Sequence, residues 1–430
     1  MSIKTSSLHL SLVCPALLFG LMLWSQPSHA QASYTWDQIK DRFETNNPTL
    51  RADAIGVQEM KAQEITAYLR PNPTFGLTAD GTQFAPHDGV WTPFKGSSVV
   101  PALSYLHERE HKRDLRLQSA QEGSQIATSL HADLERTLLF TLRTQFIQTL
   151  QAKAIVDLSR QQLDYYDKII DISRSRFSGG DLAQIDLDRI ELQRVQYESD
   201  LQAAEVNLRT AKIQMLQLLN DRTPVDQFDV TGRFDFTDQL QPLDGFRQIA
   251  LDNRPDLNAS LESVQQATTN HKLAIANGST DPTFSGWYTW NASNNNPNAN
   301  QTVGAGISIP LRIFDRNQGE KQRTQLDIGR NQQLVDATRA SVFSDVDLAY
   351  AQLDSSLALL RPYKAKYLDQ AVRVRETVTY AWQHGGASLL DFLNAQSDYR
   401  TVQLAYAQLI GAYLTAAGQL NLAVGREVIQ

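Results

Sequence analysis

RFSGGDLAQIDLDRI (176–190) and HGGASLLDFLNAQSDY (384–399) decide the fold. In each, a long helical pattern halts at a glycine pair and restarts within a few residues. A helix commonly ends at glycine because a left-handed C-terminal cap suits a residue without Cβ. Gly179-Gly180 and Gly385-Gly386 therefore read as helix stops. Asp181 is then the expected N-cap of one returning helix. Ser388 is the expected N-cap of the other, with Asp391 as its reciprocal partner three residues on. Each stretch is a tight hairpin between two helices.

The hairpins lie about 206 positions apart, and the rest of the chain repeats at a similar distance. NNPTL (46–50) recurs as NRPDL (253–257), and PNPTF (71–75) as TDPTF (280–284). A period of about 205–210 residues is too long for a solenoid unit and points to duplication of a whole fold. The expected organisation is a signal peptide over 1–30, a first repeat over 31–220, a connection over 221–242 and a second repeat over 243–430. The hairpin tips fall at 177–181 and 384–388.

Each repeat opens with a helical stretch, near 36–69 and 243–277. Short alternating runs follow. Phe284, Gly286, Tyr288 and Trp290 share one face of a strand; Val303, Ala305, Ile307, Ile309 and Leu311 share a face of the next. NASNNNPNANQ (291–301) is the polar loop between them. Phe75-Leu77-Ala79 and the run from Val99 to Leu106 form the first repeat's version, across a longer loop near 81–96. Long helices then span about 107–177 and 315–384. At 1.5 Å per residue, about 70 residues reach roughly 100 Å. Pro362 removes a backbone donor and should break or kink the second. Over 187–218 a heptad is plain. Leu187, Arg194, Leu201, Leu208 and Met215 form one row; Ile190, Tyr197, Ala204, Ala211 and Leu218 form the other. Arg194 is the one misfit.

The first 30 residues read as a secretory signal: Lys4, an apolar run through Trp24, then Ser28-His29-Ala30 as a small-x-small cleavage site. Cys14 is the chain's only cysteine. It is expected to leave with the signal; lipidation there is the alternative. The mature chain then has no disulfide, thiolate metal site or cysteine nucleophile. After residue 31 no apolar run reaches the roughly 18 residues of a spanning helix. A secreted chain of this kind is soluble, or enters an outer membrane as strands. A net charge of -7 without a basic block argues against a nucleic-acid partner.

Four strands cannot close a membrane barrel, so transmembrane strands would have to be pooled between copies. An elongated coiled-coil envelope protein with small β caps is the competing architecture.

The resemblance that separates these readings lies in NRPDL (253–257), DPTF (281–284), IPLRIFDRNQGE (309–320) and the two hairpins. Over nearly its whole mature length the chain resembles the TolC-like outer-membrane efflux proteins. IPLRIFDRNQG is similar to the subfamily serving cobalt–zinc–cadmium and copper–silver efflux. The resemblance implies a mainly α, α+β fold of tandem repeats. It implies a homotrimer whose pooled strands make a twelve-stranded β-barrel in outer-membrane lipid, continued by a periplasmic α-barrel. It also implies a periplasmic adaptor and an inner-membrane pump of the RND type as partners. Adaptor docking would fall to Phe177, Ser178, Gly179, Gly180, His384, Gly385 and Gly386. Asp391 matches an acidic ring at the channel entrance, with Asp186 as its counterpart. Asn394 stands where some relatives carry a second acid. A heavy-metal duct is the leading expectation; a duct of the same fold for drugs or type I protein secretion is the alternative.

Asp391 has a second reading as the N3 residue of a capping box. HEREHKR (107–113) places His107 and His111 at i, i+4, a metal-capable spacing, but reads better as a charged collar where strand becomes helix. His87 falls in a loop and His131 on the long helix, neither with an evident partner. Met60 and Met215 are the methionines beyond the signal, too few for a soft-metal relay. No GxSxG, P-loop or GxGxxG in strand–helix context occurs, and HEREH (107–111) spells HExxH but lacks the apolar context of a zinc-protease helix, so no enzyme, cofactor or metal centre is expected.

Overall fold

Proline sets where the opening helices begin. In a computed structural model, which describes residues 32–291 and 300–429, the single opening stretch expected in each repeat is two helices. They are α1 (Trp36–Asn46) and α2 (Pro48–Tyr68), then α5 (Leu243–Asn253) and α6 (Pro255–Asn277). The residue before proline is pushed out of the helical region, whereas proline suits the first helical position. Asn47 and Arg254 accordingly sit at ψ 119° between their helices. Asn47 Oδ1 accepts from the Leu50 amide at 3.0 Å. Arg254, 5% exposed, donates to Asp256 at 2.6 and 2.9 Å and to Asp345 at 2.7 Å. NRPDL is therefore a corner stapled to the next long helix. The signal segment, Cys14 and most of the 291–301 loop lie outside the described residues.

Two sheets form. The seam holds an unexpected strand, β4 (Phe228–Val230), which pairs in parallel with β1 (Ala32–Tyr34). Buried Asp229 on β4 receives both Lys153 and Lys212. Burial pushes its carboxyl up, but these two ammonium groups prevail and hold it below the usual carboxylate range. The larger sheet runs β2 (Thr74–Asp80), β3 (Ser98–Leu106), β5 (Thr283–Asn291), β6 (Gln301–Ser308), all antiparallel, in the order β2-β3-β5-β6. β3–β5 pairing joins the repeats. Ile309 and Leu311 lie beyond the end of β6, since Pro310 donates no ladder bond.

The long helices are α3 (Lys112–Ser178), α4 (Gln184–Leu218), α7 (Gln318–Pro362), α8 (Leu368–Gln383) and α9 (Leu389–Val424). At 67 residues α3 spans roughly 100 Å. It starts at Lys112 rather than 107 because Glu110 and His111 hold φ of 55° and 54°. Pro362 does break the second long helix: Tyr363–Tyr367 is a π-helical turn between α7 and α8. The expected heptad packs α4 on α3. Ile190, Tyr197, Ala204 and Ala211 are buried, and Arg194 is carried as an ion pair to Asp167 on α3.

Candidate functional site

The two ends of the molecule carry its unusual surfaces. At one end, the register of the four-stranded sheet puts its apolar residues on one face. Phe75 stands opposite Leu103 and Leu77 opposite Pro101. Tyr105 stands opposite Phe284 and Val99 opposite Trp290. Phe284 stands opposite Ile307 and Tyr288 opposite Val303. Directly opposed residues in an antiparallel pair project to the same side, so this is one apolar face across all four strands. It is uncovered: Val303 is 85% exposed and Phe75 65%. The other face is mostly Ser, Thr and Gly. The outer edges of β2 and β6 have no partner strand among the described residues.

One large residue breaks that polar face. Trp287 lies across its cross-strand partner Gly304. A Cβ at Gly304 would come 2.3 Å from Trp287 Cε2, and one at Gly306 would come 3.1 Å from Cζ3. GAG (304–306) is therefore glycine because the indole occupies the space a side chain would need. Sequence reasoning had passed over this contact; alternating Gly opposite Trp was the available signal.

Between the sheet and α3 lies the collar. Lys112 Nζ donates to Asp281 at 2.6 Å, and the Arg109 amide donates to the same carboxylate at 2.9 Å. Arg116 forks onto Glu108. His107 packs edge-on against Phe284, and His111 faces Asp114 at 3.2 Å. With 107–111 not helical, the i, i+4 reading fails. Among the described residues no cluster of three His, Cys, Asp or Glu could hold a metal. His131 does have a partner, Asp53 at 2.7 Å.

At the far end are the hairpin tips. Both α3 and α8 close with a residue in the left-handed region, Gly180 (φ 85°) and Gly385 (φ 76°). The next amide reaches back five residues: Asp181 N to Arg176 O at 2.9 Å, Gly386 N to Ala381 O at 2.7 Å. These are matching Schellman-type ends. The glycine pairs are out of step by one: Gly179 is a C-cap, whereas His384 holds that place in the second tip. Asp181 is not the N-cap of α4. That place belongs to Ala183, which offers no side-chain oxygen.

The second tip has the full capping box. Ser388 Oγ accepts from the Asp391 amide at 3.1 Å, and Asp391 Oδ2 accepts from the Ser388 amide at 3.2 Å and its hydroxyl at 2.7 Å. The Ser388 hydroxyl, then its amide, hold the Asp391 carboxyl below the usual range. Asp186 sits at the same third helical position of α4, but its nearest charged neighbour is Arg189 at 3.9 Å. Asn394 is exposed one turn beyond Asp391. Arg176 binds the two tips together: it donates to the Trp382 carbonyl at 3.2 Å and lies over the Trp382 indole, which stacks on Phe392 at 4.5 Å. Phe177, Ser178 and His384 remain on the surface around this joint.

The outer flank of α4 carries a second apolar row. Ile185, Leu192, Val206 and Ile213 fall at heptad spacing, interrupted by Ser199, and all are exposed. No helix among the described residues covers them. Among the described residues no helix is long and apolar enough to cross a membrane.

Comparison with known proteins follows this geometry. Residues 246–426 match the family described as outer membrane efflux protein. The chain is 23% identical to the cobalt-zinc-cadmium resistance protein CzcC of Cupriavidus metallidurans over 73% of its own length and 74% of that protein's. It is 24% identical to the outer membrane protein TolC of Escherichia coli over 94% and 84% of the two chains. Among solved structures, CusC superposes with a TM-score of 0.76 at 16% identity, covering 91% of this chain and 92% of that one. The Neisseria gonorrhoeae MtrE outer membrane channel superposes at 0.71 and 15% identity, covering 91% and 89%.

Proposed function

Because the chain belongs to the outer membrane efflux protein family, we propose that it is the exit duct of a tripartite efflux system, carrying heavy-metal cations out of the cell. The observation that carries the reading is the four-stranded sheet with an uncovered apolar face and two open edges, set on helices about 100 Å long. An open edge is not tolerated in lipid, so the strands must pool with those of other copies. A homotrimer supplies twelve. The exposed heptad row on α4 gives the helical part a matching seam against the next copy.

In this arrangement the sheet stands in the outer membrane and the helices cross the periplasm. The duct is passive. A water-filled path and an electrostatic filter are its whole chemistry, and an inner-membrane pump of the RND type supplies the energy. The adaptor docks at Phe177, Ser178, Gly179, Gly180, His384, Gly385 and Gly386. Asp186 and Asp391 face the entrance, with Asn394 beside them. Two carboxylates from each of three copies, six near a channel axis, attract cations and repel anions. The Asp391 box does not compete with that role, since its capping bonds keep the carboxyl ionised.

The metal cargo is supported by IPLRIFDRNQG (309–319) and by the similarity to a cobalt-zinc-cadmium resistance protein. The test is growth of a deletion strain on zinc, cobalt, nickel, cadmium, copper and silver, with drugs alongside. Sensitivity to one metal group, restored by the intact gene, is expected. Sensitivity to drugs alone would discard the metal and keep the duct. A soluble periplasmic monomer would overturn both.

A further inference from the structure

A half-open cavity lies away from both the sheet and the tips. Roughly three helical turns above the tips, α3, α4, α8 and α9 leave a cavity of ≈ 430 Å³ between the two hairpins. Its wall carries three cationic side chains, Lys168, Arg375 and Arg400, and one carboxylate, Asp164. Arg375 is held flat between two tyrosines, its guanidinium carbon 4.0 Å from the centre of the Tyr399 ring and 4.8 Å from that of Tyr165. Its Nη2 edge reaches Glu376 at 3.6 Å, while its buried Nε has no partner. Arg400 lies over Tyr197 and is paired with Asp200 on its far side.

Behind these residues two more donors are left over. The hydroxyl of Tyr166, a residue with no exposed surface, and Nε2 of Gln162 have no hydrogen-bond partner. Both residues line the same cavity. Leaving a buried donor without a partner is costly, so such groups are rare and call for an explanation. The unpartnered atoms among the lining residues are all nitrogens and a hydroxyl, and no carboxylate oxygen is among them. A wall whose buried unpartnered atoms can all donate, with more cations than anions among its side chains, favours a ligand that accepts.

We propose that this cavity is a binding site for a small oxyanion, a carboxylate, sulfate or phosphate, with Arg375 as its principal ligand and Tyr166 and Gln162 turning onto it from behind. The site is contributed by both repeats: Gln162 and Tyr166 come from α3, Arg375 from α8 and Arg400 from α9. A bound anion therefore bridges the hairpins. The site is independent of the cargo and of the entrance carboxylates.

The test uses the detergent-purified full-length assembly, titrated calorimetrically with sodium sulfate and, separately, sodium benzoate at constant ionic strength. Saturable binding with one site per chain is expected. Arg375→Gln should weaken it about tenfold or more, the usual loss for one charge-assisted bond. Tyr166→Phe, which removes only an oxygen, should weaken it several-fold and keeps the test valid if Arg375→Gln fails to assemble. Selenate soaked into crystals should give an anomalous peak beside Arg375. Sulfate and benzoate binding alike indicates a general oxyanion site; binding of one alone names the class. Absence of saturable heat with either anion, or equal affinity in wild type and both variants, overturns the proposal.

Discussion

Gly304→Ala tests the packing of the sheet with one methyl group. The new Cβ would lie 2.3 Å from Trp287 Cε2, 2.5 Å from Cζ2 and 2.6 Å from Nε1. No rotation of a methyl relieves contacts that short, so the indole or the strand must move. Overpacking of this kind costs about 1–3 kcal/mol per chain, roughly 5- to 150-fold in the folded population. Gly76→Ala is the control. It sits on β2 of the same sheet, and a Cβ there meets nothing within 4 Å. The assay is the midpoint of heat dissociation of the assembly in mild detergent. Gly304→Ala should melt clearly below wild type and Gly76→Ala close to it. The double variant Gly304→Ala, Trp287→Ala should recover part of the loss relative to the sum of the single changes, because the clash goes with the ring. Equal midpoints for the two alanine variants, or strict additivity in the double, would refute the contact.

The other predictions concern the corner, the cap and the tips. Arg254→Met should cost about 1.5–3 kcal/mol in thermal or denaturant unfolding, because the partly exposed Asp256 and Asp345 lose a charged donor; a loss below about 0.5 kcal/mol would count against the staple. Ser388→Ala should lose about 1 kcal/mol of helix capping and let the Asp391 carboxyl rise toward its ordinary range, read by NMR titration. Since folding depresses that pKa, the cap's contribution is present above the ordinary carboxylate range and is lost as pH falls through the folded value. The gap between wild type and Ser388→Ala should therefore narrow at low pH without closing, because the bond from the Asp391 amide to Ser388 Oγ does not depend on the carboxylate; a gap that widens there would show that the box is not the cause. Gly180→Ala combined with Gly385→Ala strains both left-handed caps by about 1–2 kcal/mol each. Export should fall while the assembly stays intact, and unchanged export would argue against docking at the tips.

Much of this was legible because it rests on backbone rules. Glycine at a left-handed cap, proline within a helix and period-two alternation act over a few residues, and they gave the hairpins, the break after Pro362 and the four strands. NNPTL and NRPDL were seen as repeats but not as corners, although the same proline rules apply; the continuous apolar pattern on either side outweighed them. Asp181 as N-cap failed because the turn runs two residues longer than a minimal one and leaves Ala183 at the cap. β1 and β4 could not be found locally. Each has three residues, and they pair across most of the first repeat. Arg194 looked like a heptad defect because its partner Asp167 lies on another helix. The Trp287–Gly304 contact needed the register, which alternation alone does not fix.

The same physics supports the proposed assembly of several copies. An edge strand offers a row of unpaired amides and carbonyls, and in lipid each unsatisfied group costs several kcal/mol. β2 and β6 present two such edges, of 7 and 8 residues. In water the edges could be solvated, but nothing among the described residues covers the apolar face of the same strands. The exposed row from Ile185 to Ile213 adds a third unburied surface, on the flank of α4 turned away from α3. The proposed association would satisfy all three: β6 of one copy would pair with β2 of the next, the apolar face would turn to lipid, and α4 would pack on its neighbour. A variant that blocks only the helical seam, Leu192→Asp with Val206→Asp, should therefore also stop the barrel from forming. Recovery of that variant as a stable monomer with a membrane-inserted sheet would break the link between the two halves of the argument.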